Sequence, residues 1–193
     1  MARYQLDPVH TDRERWLKQY YFVRTAFSVA WVAAAFAAGA SSPVIAGALL
    51  VLYPAWDAAA NFADAVRSGA LAQSRTQALN VVVSLATTVA VLVTLQMSMN
   101  RVLGIFGAWA IVSGLLQLGT AIRRWRSFGA QWAMVLSGGQ SALAGGFFIF
   151  QATMPEVPSI ANVAGYAAVG ALYFLVSAIW LTVGEWRQHA KRV

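Results

Sequence analysis

The sequence predicts an all-α polytopic membrane protein of six transmembrane helices arranged as three antiparallel hairpins. Three observations carry this. Hydrophobic residues make up 59% of the chain and charged residues only 11%, whereas a soluble domain carries about a quarter charged. Six apolar runs, at 21–40, 44–63, 77–95, 102–121, 131–150 and 163–183, each reach the roughly 20 residues that a helix needs to cross a bilayer. With six spans, thirteen of the fourteen Lys and Arg residues fall on one side, and only Arg101 falls on the other. That bias fits the positive-inside rule and puts both termini in the cytoplasm.

The elements follow in order. Residues 1–20 form a cytoplasmic amphipathic tail, in which Thr11-Asp12-Arg13-Glu14 has the capping-box pattern and predicts a helix starting near Asp12. Its polar stretch and the following apolar run are both too long for a cleaved signal peptide. Short outer loops, Ser41-Ser42-Pro43 and 96–101, force antiparallel neighbours, giving hairpins 21–63, 77–121 and 131–183. The fifth loop, 151–162, holds Pro155, Glu156 and Pro158 and is the largest external surface; 184–193 is a basic cytoplasmic tail. Trp16, Tyr20, Tyr21, Trp125, Trp132 and Trp186 lie near cytoplasmic span ends, where half-polar rings suit the headgroup layer.

Several functions are disfavoured. The net charge of +7 flanks apolar spans instead of clustering on a soluble face, which argues against nucleic acid and for a lipid bilayer as partner. A homo-oligomer or a membrane-protein partner stays open. There is no cysteine, and His10 and His189 sit in opposite tails without ligand spacing, so no metal, cofactor or Ser-His-Asp constellation is expected.

A weak internal repeat runs through the chain. A shift of 56 sets 56–67 over 112–123, with Asn61 on Gln117 and Arg67 on Arg123; a further 64 sets Ser113 on Ser177 and Arg123 on Arg187. By the same reading Arg24 corresponds to Asn80 and then Met134, and Gln117 to Leu181.

The stretch from Gly107 to Arg124 (GAWAIVSGLLQLGTAIRR), followed by Gln131 to Gly146 (QWAMVLSGGQSALAGG), resembles the HdeD-like membrane family; the resemblance is best over 102–187. Pro43 and Pro155 fit that family's proline after the first helix of a hairpin, whereas loop 96–101 has none. The resemblance implies a non-enzymatic protein of the bacterial inner membrane, built from short repeated hairpins and linked to envelope or acid-stress resistance.

Buried polar residues mark the places where chemistry is conceivable. An ionisable group inside a span costs about 2.5–3.5 kcal/mol on insertion scales and usually faces the bundle interior. Asp57, Asn61 and Asp64 share one face of the second span, and Arg24 lies level with them. Arg24, Asp57, Asn61, Asn80 and Gln117 therefore form a candidate intramembrane cluster with two readings. One is an ion-responsive site of a small oligomeric transporter or channel. The other, the weightier, is a pair of staples, Arg24–Asp57 and Asn80–Gln117, that fasten helices. Asp64 is expected to pair with Arg67 at the interface, and Pro54 to kink the second span. An accessory subunit of a larger membrane complex is a third possibility. In the fifth span Ser137, Gly138, Ser141, Ala142, Gly145 and Gly146 are spaced for close helix packing; no lysine follows them, as a phosphate loop would require.

Overall fold

The computed structural model describes residues 8–67, 75–124 and 131–190, and over these the chain is six long helices. They are α1 (Pro8–Ala34), α2 (Pro43–Arg67), α3 (Arg75–Thr94), α4 (Met99–Arg124), α5 (Gln131–Ala152) and α6 (Ile160–Ala190). Five are long and apolar enough to cross a membrane, over Arg15–Gly39, Pro43–Arg67, Arg75–Thr94, Met99–Ile122 and Ile160–Arg187. The remaining helix, α5, has 22 residues and not one charged side chain. Large apolar side chains such as Val82, Leu115, Leu143 and Phe147 point outward, Leu143 with 78% of its surface exposed. In water such a belt would be an aggregation surface; in hydrocarbon it costs nothing. The chain is a multi-pass helical membrane protein.

Helix starts at the far end from the termini follow serine chemistry. Ser42 precedes Pro43, and its Oγ accepts from Ile45 N at 3.4 Å, a cap followed by proline at the first helical position. Ser98 Oγ accepts from Arg101 N at 3.3 Å, and Ser159 Oγ from Ala161 N at 3.3 Å. Asn162 Oδ1 reaches back to accept from Ser159 N at 3.0 Å. Asn100 ties two turns together, its Nδ2 donating to Met154 O at 3.0 Å and Glu156 O at 3.2 Å. At the other end, α1 begins at Pro8, so Thr11 lies inside the first turns and is not the cap expected from its pattern. The last turn of the first span widens into a π-helix over Ala35–Gly39, which no feature of the sequence announced.

Each helix touches its neighbours in chain order, and α6 returns to α1, so the six close into a ring. The most extensive seam joins α4 to α5, followed by α1 with α6 and α2 with α3. Short outer turns do make α1 and α2 consecutive antiparallel helices, whose backbones stand apart and meet through side chains. The aromatic pair Phe27–Trp56, stacked with centroids 4.2 Å apart, fills much of their seam, and Trp31 Nε1 donates across it to Leu49 O at 2.8 Å. Pro54 is buried within an α2 that continues through it.

The α4–α5 seam shows which small residues matter. Gly107 meets Gly145 and Gly114 meets Gly138, each pair two turns along its helix from the other. A Cβ on Gly114 would lie 2.5 Å from Gly138 O, and one on Gly138 2.7 Å from Gly114 O. Ala142 also packs there, its backbone N 3.0 Å from that point on Gly114. Gly146 meets nothing within 4 Å and does not belong to the seam, correcting its expected packing role. Ser137 and Ser141 act through their hydroxyls, as described below.

At the turn end of the ring all six helices contribute to one core. Trp31, Leu50, Tyr53, Val91, Leu103, Phe106, Trp109, Phe148 and Val163 are buried together. The aromatic rings interlock: Tyr53–Trp109 at 5.8 Å, Phe106–Trp109 at 5.9 Å and Trp109–Tyr166 at 6.3 Å. This end is plugged.

The glycine seam makes a sharp prediction. Gly114→Ala or Gly107→Ala drives a methyl into facing backbone and should cost about 1–3 kcal/mol, as overpacking does. Gly146→Ala should stay within about 0.5 kcal/mol of the parent. Unfolding of the purified protein in detergent measures both; equal effects at the two kinds of position would refute the seam.

Candidate functional site

The opposite half of the ring holds the polar residues. Arg24 on α1 and Asp57 on α2 form an ion pair through Nη2 and Oδ1, with 11% and 8% of their side-chain surface exposed. Arg24 Nη1 donates to Tyr20 Oη at 2.9 Å, and the face of the guanidinium lies 4.4 Å from the Phe174 ring centroid on α6. Its Nε is buried with no partner. The second carboxylate oxygen of Asp57 accepts from Asn61 Nδ2 at 3.0 Å and from Ser84 Oγ on α3 at 2.8 Å. Ser84 Oγ in turn accepts from Trp109 Nε1 on α4 at 3.0 Å. Five helices thus converge on one carboxylate and its counter-ion.

The geometry answers whether Asp57 faces lipid, water or Arg24. It faces Arg24, and every oxygen of its side chain is engaged by neighbours within the ring. Such a pair is costly to desolvate and costly to break, which suits a fastening better than a free proton site.

The other expected staple is not formed. Asn80 and Gln117 do not bond one another; Asn80 Oδ1 accepts from Ser113 Oγ at 3.1 Å, and Gln117 Oε1 from Ser137 Oγ at 3.4 Å. The repeat explains the correction. The shift of 56 that carries Arg24 to Asn80 carries Asp57 to Ser113, so Arg24–Asp57 and Asn80–Ser113 are equivalent bonds in successive hairpins.

Asp64 is corrected too. It is 5% exposed, and its carboxylate accepts from Trp16 Nε1 and from Gln77 Nε2, each at 3.3 Å. Arg67 lies with its guanidinium 4.9 Å from the Trp16 ring centroid. Ser141 shares a hydrogen bond of 3.0 Å with Tyr166, joining α5 to the ring interior.

These side chains surround a cleft of about 70 Å³, well below the roughly 300–1,000 Å³ typical of sites for drug-sized molecules. All six helices line it, and the repeat is visible in the lining. Tyr20, Tyr21, Arg24, Asn61 and Asp64 of the first hairpin recur, 56 residues later, as Thr76, Gln77, Asn80, Gln117 and Thr120 of the second. The third hairpin supplies Met134, Ser137, Phe174 and Ser177, a less polar wall. Of the residues singled out in the sequence, Arg24, Asn61, Asn80, Gln117 and Ser137 meet here, with Asp57 directly behind Arg24. Ser84, Trp109, Ser113 and Gln77 were missed; a lone serine or glutamine in an apolar span carries too little signal to be chosen.

Comparisons with protein-family models, curated proteins and solved structures found no match, so the geometry alone carries the functional reading.

Removing one partner of the central pair strands the other in a low-dielectric interior. Asp57→Ala should therefore destabilise by about 3–5 kcal/mol, while Arg24→Met combined with Asp57→Leu should cost clearly less than the two single changes summed. A double-mutant cycle on detergent-solubilised protein checks this; strict additivity would show that the pair does not couple.

Proposed function

We propose that this chain is a solute-binding, transporter-class protein of the bacterial inner membrane, with both termini in the cytoplasm and the cleft facing that side. The observation that carries the reading is convergence: polar side chains from all six helices surround one small cleft, while the other end of the ring is filled by interlocked aromatics. A bundle that only anchored itself in lipid would gain by filling that space with apolar side chains, since each buried polar group must be matched. The charge segregation supports the orientation, because the basic residues gather at the cleft end of the helices. The work of the site is recognition and passage, without bond-making chemistry. Asp57 holds the cleft wall in place.

The HdeD-like role in envelope or acid stress is the second reading. It rests on the sequence resemblance over 102–187. Under that reading, deletion lowers survival at low pH while solute uptake is unchanged.

The native chain has no cysteine, so single-cysteine labelling is clean. Thr120→Cys, in the cleft lining, should react with a water-soluble maleimide in inside-out vesicles and stay unreacted in right-side-out ones. Leu103→Cys, in the plug, should react in neither. Labelling of Thr120→Cys only from the outer side, or from neither side, contradicts the proposed cleft.

A further inference from the structure

We propose that α1 and α6 move together as one rigid arm against a body formed by α2, α3, α4 and α5, opening and closing the cleft at its unplugged end. The proposal rests on the solute-binding reading above and says how that site is gated. A cleft of about 70 Å³ has room for a few water molecules, so a solute enters only if one wall moves. The division follows from the seams. α1 packs closely on α6, and α2, α3, α4 and α5 pack in unbroken series, whereas α1 against α2 and α5 against α6 are the thinnest seams of the ring. The chain crosses between arm and body twice, through residues 40–42 and 153–159, and both crossings lie at the plugged end. The connections at the cleft end join α2 to α3 and α4 to α5, inside the body.

Packing is divided the same way. The plug is shared: Trp31 of α1 and Val163 of α6 are buried with Leu50, Val91, Phe106 and Phe148 of the body, which makes that end a pivot. At the cleft end the arm has an apolar cluster of its own, Leu17 and Tyr21 with Ala178 and Leu181, and Lys18 pairs with Glu185 on the same two helices. What crosses from arm to body there is mainly polar. It comprises the Arg24–Asp57 pair, the bond from Trp16 Nε1 to Asp64 at 3.3 Å and Arg67 over the Trp16 ring, with the half-exposed rings of Trp132 and Trp180 meeting at 5.6 Å. Water entering an opened cleft takes over such polar bonds at small net cost, which it cannot do for packed apolar faces. Where the arm meets the pivot, α1 ends in the π-helix Ala35–Gly39, which packs on both α2 and α6; breaks of this kind in the regular ladder are frequent at functional sites.

The test uses the full chain in lipid nanodiscs, spin-labelled in pairs at exposed positions, with distances read by pulsed electron paramagnetic resonance. Leu79→Cys with Ile179→Cys spans body and arm at the cleft end. Leu92→Cys with Val169→Cys spans them beside the plug, and Val29→Cys with Ile179→Cys lies within the arm. The first pair is expected to give two distances, the shorter matching the structure, and the other two pairs one each. Trp16→Leu removes both the Asp64 bond and the Arg67 contact, and should raise the longer population about fivefold relative to the shorter, the equivalent of one lost hydrogen bond. Arg67→Met, an exposed change that leaves the Asp64 bond in place, should raise it about twofold; thermal unfolding confirms that both variants fold. One unchanged distance for Leu79–Ile179 in the parent and both variants overturns the arm, as does a second distance within the arm or equal widening beside the plug. A fixed distance together with cytoplasmic labelling of Thr120→Cys overturns the arm and leaves the solute-binding reading standing. A moving arm with Thr120→Cys unlabelled from either side upholds the motion and overturns the solute-binding reading.

Discussion

Hydrocarbon supplies no hydrogen bonds, so the polar side chains placed inside this ring take most of their partners from one another. Arg24 and Asp57 show how far that constraint reaches. The arginine is covered by Phe174 and bonded to Tyr20; the aspartate draws in Asn61, then Ser84, then Trp109. Satisfying two charges has thereby fixed the relative positions of α1, α2, α3, α4 and α6. Helices in lipid have no hydrophobic drive toward one another, so such a hub supplies much of the specificity that a soluble core obtains from burial.

The hub also joins the two halves of the molecule. Trp109 is both the last member of the Asp57 chain and the centre of the aromatic plug, with Tyr53, Phe106 and Tyr166 packed around it. Arg24 on the cleft side is thus linked to the closed end through three consecutive polar contacts. The seam of α4 with α5 is built on another principle, backbone against backbone, and it joins α5 to the ring where the polar chain does not reach.

Much of this was legible in the residues. Composition and span length sufficed for the helices, and the cost of burying a charge sufficed to single out Arg24 with Asp57. What could not be read was which uncharged partner each amide would choose. Asn80 and Gln117 lie on facing helices at similar depth, and nothing in their identity excluded a direct bond; the rotation of α4 presents Ser113 to Asn80 instead. The repeat held that answer, since the position equivalent to Asp57 is Ser113, but only once the pair was treated as a unit. Asp64 was misjudged because its nearness in sequence to Arg67 outweighed its face on the helix, which it shares with Asp57 and Asn61. Gly146 was grouped with Gly138 and Gly145 by composition, though it lies on the outward side of α5.

Because α6 seats against α1, the ring closes only once the sixth helix is in place. Lys18 and Glu185, an ion pair spanning 167 positions, and the stack of Tyr21 on Phe174 form the latch. A nascent chain halted before residue 174 is an open arc whose arginine lacks its aromatic cover and whose polar edge is turned toward lipid. Until α6 arrives, that edge faces hydrocarbon, which offers it no hydrogen bond.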